Sequence, residues 1–249
     1  LAMWRAEGIG CELVARLPGR LPGLYTIRTD PAGERTFTYW RSASAAREVL
    51  RGERADAIAG RLARHDLLYL SGITLSILDP PQREALIAIA DALRARGGRV
   101  AFDSNFRPAG WPDRAEARAT FDQMLRRVDT ALPTLDDDQA LFGVPDAAAC
   151  AARLHDLGVA EVVVKLGRLG CYVSAQGRRA RVSAEPAAQV IDSTAAGDSF
   201  NAGYLAARLA GLEPEVAALH GNRIAARVIG HAGAIVPVAA MTDLMPGPS

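Results

Sequence analysis

Short apolar runs alternate with helical stretches of about 10–15 residues through most of this chain, and that rhythm restricts the fold more than any other feature. Leu67-Leu68-Tyr69-Leu70 is one such run, stopping at Ser71-Gly72, and a helical pattern over residues 81–95 follows it. Arg99-Val100-Ala101-Phe102-Asp103 predicts the next strand, with a helix over 113–127 behind it. Residues 130–133 and 161–165 repeat the pattern, each after a helical stretch. Short apolar strands reached through helices make a mostly parallel sheet covered on both faces, an α/β fold. Residues 171–174 and 179–183, joined through Ala175-Gln176-Gly177, predict an antiparallel edge, and from Gly197 onward the chain reads as mainly helical. Ligands of such sheets sit beyond the carboxyl ends of the strands. That rule singles out Ser71-Gly72, Asp103-Ser104-Asn105 and residues 192–198.

Ahead of the alternation lies a different pattern. Leu24-Tyr25-Thr26-Ile27 and Arg35-Thr36-Phe37-Thr38-Tyr39-Trp40 flank the turn-forming Asp30-Pro31-Ala32-Gly33, which predicts a β-hairpin. Alternation puts Tyr39 and Arg41 on one face and Trp40 on the other, with Tyr25 in the facing strand. An arginine beside a tyrosine could grip a carboxylate and hydroxyls; a cross-strand surface pair or a subunit contact is the other reading. Residues 1–8 read as the end of an amphipathic helix without a cap.

Composition closes off several classes of function. The 249 residues are 49% hydrophobic, ample for a sizeable core, and the formal charge of +1 predicts neither a nucleic-acid nor a membrane partner. Cys11, Cys150 and Cys171 are widely spaced, so the pattern suggests no disulfide framework and no zinc site, and a reducing cytosol is the simplest compartment. No apolar run of roughly 18 residues and no leader-like start are present, which predicts a soluble cytoplasmic protein. His65, His155, His220 and His231 lack ligand spacing, so no metal site made by the protein is expected. G-x-S-x-G, G-K-[ST] and G-x-G-x-x-G are all missing, which leaves serine hydrolases, P-loop enzymes and dinucleotide binders unsupported.

Chemistry concentrates in Val190-Ile191-Asp192-Ser193-Thr194-Ala195-Ala196-Gly197-Asp198. It reads as a strand end running through small residues into a helix whose apolar positions are Phe200, Tyr204, Leu205 and Leu209. Amides of Ala195, Ala196, Gly197 and Asp198 would then lie unpaired at a helix N-terminus, where the dipole favours an anion. A first-turn carboxylate would repel a phosphate. It makes sense if Asp198 takes a proton from an attacking hydroxyl while the amides stabilise the transferring phosphoryl group. Composition alone leaves Asp198 divided between that role and a helix cap.

Two further stretches are of interest. Lys165-Leu166-Gly167-Arg168-Leu169-Gly170 follows a buried strand and reads either as a backbone turn lying against nucleotide phosphates or as a plain glycine-assisted turn. Lys165 is the only lysine among 29 lysines and arginines. Asp103-Ser104-Asn105-Phe106-Arg107-Pro108 offers polar groups and an arginine to an anionic ligand, or merely an Asx-type turn.

Together these segments resemble the ribokinase-like (PfkB) carbohydrate kinases. Residues 192–198 match the D-[ST]-T-[GA]-A-G-D pattern of that family, and the rest of the chain follows its order: hairpin, S-G-x-x-L after Tyr69, Asp103-x-Asn105-x-Arg107, the 165–170 turn and the helical end. Within the family, Gly23-Leu24-Tyr25, Gly33-Glu34-Arg35-Thr36-Phe37, residues 39–46 and Thr194-Ala195-Ala196-Gly197-Asp198 look most like its 2-keto-3-deoxygluconate kinases. The resemblance implies a ribokinase-like three-layer α/β/α fold with a mostly parallel central sheet and a small β lid. Its parts would be residues 1–21 as the start of the core, 22–42 as the hairpin lid and 43–249 as the nucleotide-binding and catalytic core.

The implied activity is ATP-dependent phosphorylation of a keto-deoxy sugar acid, with another sugar such as ribose or fructose as the alternative, or an inactive nucleotide-binding fragment. Asp198 would be the base and Ala195, Ala196 and Gly197 the anion hole. Tyr25, Tyr39, Arg41, Arg107 and Asp198 would contact the sugar acid. Ser104, Arg107, Lys165, Gly167, Gly170, Ala195, Gly197 and Asn222 would serve ATP, with His220-Gly221-Asn222 bordering the adenine. Mg²⁺ would arrive with ATP, a monovalent cation is allowed, and the lid would also join copies into a homo-oligomer. The family's sugar-binding G-G-x-x-x-N segment has no match here, so an N-terminally truncated member is expected.

Overall fold

A computed structural model describes residues 1–29 and 35–244, and the chain divides into two units, Leu1–Leu68 with Thr74–Gly98, and Tyr69–Ile73 with Arg99–Ser249. The expected turn at Asp30-Pro31-Ala32-Gly33 and the last five residues of the expected core, 245–249, lie outside the described residues.

In the first unit a short helix α1 (Ala2–Ala6) buries nothing, in keeping with its single turn. Strands β1 (Leu24–Thr29) and β2 (Arg35–Trp40) pair antiparallel as expected, with Leu24 opposite Trp40 and Tyr25 opposite Tyr39. Helix α2 (Ala55–Leu62) leads to strand β3 (Leu67–Ser71) and helix α3 (Gly72–Ile77), both of which pass from one unit to the other. Helix α4 (Pro80–Ala95) starts where its signals say it should. Asp79 accepts from the Gln82 amide at 3.0 Å, and prolines occupy the positions whose N–H would have no partner. Leu86, Ile89, Ala90 and Leu93 recur at helical spacing and are buried. Gln82 bonds the backbone of Arg47 and Leu50, and Arg83 Nε donates to the Leu75 carbonyl at 2.8 Å.

The second unit is built on a six-stranded sheet in the order β3, then β4 (Arg99–Asp103), β5 (Thr130–Ala131), β6 (Glu161–Lys165), β7 (Cys171–Ala175) and β8 (Arg178–Val182). It is parallel from β4 through β6 and antiparallel at β7 and β8. The connecting helices are α5 (Arg114–Leu125), α6 (Leu135–Phe142) and α7 (Ala147–Asp156), followed by α8 (Ala196–Leu209) and α9 (Pro214–Val228). Strand β5 is shorter than the expected 130–133. Proline has no N–H to extend a ladder, and the last bonds here run from Leu132 to the Phe102 carbonyl and from Lys165 to the Pro133 carbonyl.

Alternation along the strands sorts the core. Val163 and Val173 enter a cluster with Phe200, Tyr204 and Ala207 of α8 and Ala217 and Ala218 of α9. The other face meets the connecting helices, where Phe102 and Phe121 meet edge to face at 5.5 Å.

Candidate active site

The carboxyl ends of β4 and β6 carry the first elements of the site. Asp103, the last residue of β4, is 3% exposed; Lys165, the last of β6, is 7% exposed. Lys165 Nζ donates to Asp103 Oδ2 at 3.0 Å and to Asn201 Oδ1 at 3.1 Å. Asn201 Nδ2 donates to the same Asp103 oxygen at 2.8 Å and to the Tyr69 hydroxyl at 3.0 Å. Burial raises the Tyr69 hydroxyl's pKa, with the Asp103 charge adding to it.

Helix α8 sets its N-terminus beside this network. Ala195 precedes it in the left-handed conformation, φ 61°, and the first helical bond runs from the Ser199 amide to the Ala195 carbonyl at 2.8 Å. Gly197 and Asp198 occupy the first turn, where amides face outward under the helix dipole. The Ala196 amide departs from expectation by donating to the Ser193 carbonyl at 3.3 Å. Asp198 is solvent-accessible, so its desolvation is partial. That desolvation is still the largest cause raising its pKa; Asp103's charge adds to it, while Lys165 and Arg107 oppose it. A raised pKa makes a carboxylate a better proton acceptor as long as it stays ionised at the working pH.

Residues 190–191 do not form the expected strand. Val190 and Ile191 are exposed, and the Ile191 and Asp192 amides both turn to the Ile229 carbonyl past α9, at 2.8 and 3.1 Å, rather than to a neighbouring strand. Asp192 is a staple. Its carboxylate accepts from the Thr194 amide (2.9 Å), the Thr194 hydroxyl (2.6 Å) and the Gly233 amide (3.0 Å).

The remaining expected residues fall in three places. Arg107 Nη1 pairs with Asp137 Oδ1 at 3.2 Å and donates to the Phe106 carbonyl, leaving the guanidinium about half exposed. The Asx turn weighed for this stretch exists: the Asn105 amide donates to Asp103 Oδ1 at 3.2 Å. Ser104 is buried, and its side chain shares a small internal cavity with Asp138. Gly167 opens the tight turn between β6 and β7 at φ 57°, while Gly170 (φ 87°) is packed so closely that a Cβ would lie 2.0 Å from the Val182 carbonyl. Asn222 Nδ2 donates to the Ser183 carbonyl at 2.9 Å, holding the end of β8. In the first unit, Tyr25 and Tyr39 have ring centroids 6.1 Å apart, and the Arg41 guanidinium carbon lies 4.1 Å from the Tyr39 centroid. The sequence put Tyr39 and Arg41 on one face with Tyr25 in the facing strand, and the three meet.

Sequence reasoning left out Asn201 and Asp137. Asn201 stands three residues after Asp198, hence on the same face of α8, and an asparagine at that spacing was the available signal. Asp137 lies in the acidic first turn of α6, with burial raising its pKa against the pull of Arg107. Among the described residues no cluster of three or more His, Cys, Asp or Glu could hold a metal by itself, and no helix is long and apolar enough to cross a membrane.

A carboxylate in the first turn of a helix, with a lysine at the end of β6 and an arginine just past β4, is an arrangement suited to moving a phosphoryl group between small molecules. Residues 1–241 match the pfkB family carbohydrate kinase, and the chain belongs to that family. The 2-dehydro-3-deoxygluconokinase of Escherichia coli K12 is 48% identical over 244 residues, covering 97% of this chain and 79% of the relative. The crystal structure of the PfkB protein from Polaromonas sp. JS666 superposes with a TM-score of 0.78 at 28% identity, covering 91% of this chain and 73% of that one. The fructokinase of Vibrio cholerae O395, bound to fructose, ADP and calcium, superposes at 0.77 with 23% identity, covering 98% and 80%. The expected ribokinase-like α/β fold is therefore the observed one.

Proposed function

We propose that this protein transfers the terminal phosphoryl group of ATP to the 6-hydroxyl of 2-dehydro-3-deoxy-D-gluconate. The observation that carries the reading is Asp198, a carboxylate with a raised pKa in the first turn of α8, with Lys165 and Arg107 both acting on it. The identity to 2-dehydro-3-deoxygluconokinases supports the choice of substrate.

Bound ATP with a divalent ion supplies the phosphoryl group and part of the charge compensation. The rest is the chain's own chemistry. Asp198 accepts the proton of the sugar hydroxyl as the oxygen attacks, which spares a free alkoxide. The first-turn amides at Gly197 and Asp198, with Ala195 and Ala196 leading into them, face the charge that develops on the transferring group. Arg107 offers a half-exposed guanidinium to a phosphate or to the sugar carboxylate. Gly167 brings open backbone toward the nucleotide, whereas Ser104, Gly170 and Asn222 act through the shape of the loops they hold. Tyr25, Tyr39 and Arg41 form the recognition group for the sugar acid, with Arg41 directed at its carboxylate.

The hairpin is read as the lid and as the contact between copies, supported by the exposed Leu24 and Trp40. A monovalent cation belongs to the same reading. Light scattering and turnover in potassium against choline salts check these two points. Three free, buried cysteines suit a reducing cytoplasm.

A coupled ADP-release assay over a sugar panel tests the activity, with Asp198→Asn as the mechanistic control. Asp198→Asn is expected to lower kcat by roughly 10²–10⁴ with KM for ATP little changed. Preference for a neutral sugar, or near-normal kcat in the variant, rejects the reading.

A further inference from the structure

The chain's one lysine is placed in the interior, between the sheet and the helix that carries the base. Lys165 Nζ lies 3.5 Å from where a Cβ on Gly197 would stand, so the ammonium sits against the first turn of α8. Two of its three N–H groups are engaged by Asp103 Oδ2 and Asn201 Oδ1. Those acceptors are themselves fixed: Asn201 donates to Asp103 and Tyr69, and Asp103 accepts from the Asn105 amide. A buried ion pair is a poor way to gain stability, because desolvation offsets the attraction. A compact ammonium can turn its donors to two acceptors, whereas a guanidinium presents them in a rigid planar fork, which gives a physical reason for lysine at this one position.

The charges around Asp198 come from each neighbouring element. Asp103 of β4 disfavours its ionised form, while Lys165 of β6 and Arg107 beyond β4 favour it. Tyr69 of β3 senses both Asp103 and Asp198, and Asp137 of α6 senses Asp103, Lys165 and Arg107. Lys165 is the buried cation of the set, and solvent and salt screen it least.

We propose that Lys165 is a positioning residue for phosphoryl transfer: anchored on Asp103 and Asn201, its ammonium supports the first turn of α8 and keeps Asp198 ionised for the incoming hydroxyl. The proposal rests on the reading of Asp198 as the base, and it goes beyond a contact between Lys165 and ATP. A side chain that only balances Asp103 would be dispensable once Asp103 is neutral. A side chain that serves Asp198 would not.

The test combines steady-state kinetics with a titration of the Asp198 carboxyl by carboxyl-carbon NMR, its resonance assigned with Asp198→Asn. Lys165→Met is expected to raise the Asp198 midpoint by about one pH unit, lower kcat about tenfold or more, and leave KM for ATP within about twofold. The double variant Lys165→Met with Asp103→Asn leaves no unpaired buried charge, so it carries the measurement if the single variant does not fold. Its midpoint should exceed that of Asp103→Asn alone, and its kcat should stay low. An unmoved midpoint, or full recovery of kcat in the double variant, overturns the proposal. Failure of the proposed function shows separately, as a wild-type protein that phosphorylates no sugar in the panel, while the titration still decides what Lys165 does to Asp198.

Discussion

Arg41, Tyr25 and Tyr39 illustrate how far single residues can be read. The common side of Tyr39 and Arg41 followed from period-two alternation, and the register adds Tyr25 directly opposite Tyr39, with the guanidinium over Tyr39. Stacking holds the planar cation in one orientation, which suits it to a planar carboxylate. Arg41→Ala should therefore raise KM for the sugar acid about tenfold or more, the scale of losing a charged hydrogen bond, with kcat much less affected. An unchanged KM in the coupled assay would return the group to a surface role. The two aspartates of the 192–198 motif show the opposite case. Both lie in the stretch that the strand-end rule singles out, yet the Asp192 carboxylate accepts from the Thr194 amide and hydroxyl and from the Gly233 amide, while burial and the Asp103 charge raise the pKa of Asp198.

Among the elements, those with strong local signals were legible. Helix α4 carries its proline start and its apolar stripe in sequence, and β7 and β8 announce their turn with Gln176-Gly177, both at positive φ. The errors arose where pairing decides. Residues 190–191 are as apolar as a strand, but the Ile191 and Asp192 amides go to the end of α9, and β5 stops early at a proline. Contact between α8 and α9 also depends on positions no period reveals. A Cβ on Gly221 would lie 2.9 Å from the Phe200 carbonyl, and one on Gly203 would lie 2.9 Å from Ile224 Cγ1. Gly221→Ala should force the helices apart at a backbone contact and cost about 1–3 kcal/mol, the usual penalty of overpacking. Chemical denaturation measures it; a variant as stable as wild type would mean the helices shift freely.

For the whole molecule the clearest consequence is a pH dependence of stability. Asp138 is 2% exposed, and burial pushes its carboxyl from the ordinary 3.8 up to about 6, against the pull of Ser104 and Arg153. The folded protein thus binds this proton more tightly than the unfolded chain. The stability it contributes is fully present below 3.8 and is lost as pH rises through about 6. Asp137 and Asp198, both raised, act in the same direction. Denaturation at mildly acidic and mildly alkaline pH should show wild type losing on the order of 1–3 kcal/mol relative to Asp138→Asn as the pH rises. Parallel curves for the two proteins would contradict the assignment.

The sequence by itself determined the α/β rhythm, the hairpin, the antiparallel edge and the small-residue motif ending in Asp198, because each depends on neighbours within a turn or two of chain. Only the tertiary structure decided that Lys165 reaches across 62 residues to Asp103, and that Asn201 reaches across 98 to the same carboxylate. Such contacts are set by which strands lie side by side and where α8 is laid across their ends. No local pattern encodes that choice, so the charges governing Asp198 come into view only once the sheet is assembled.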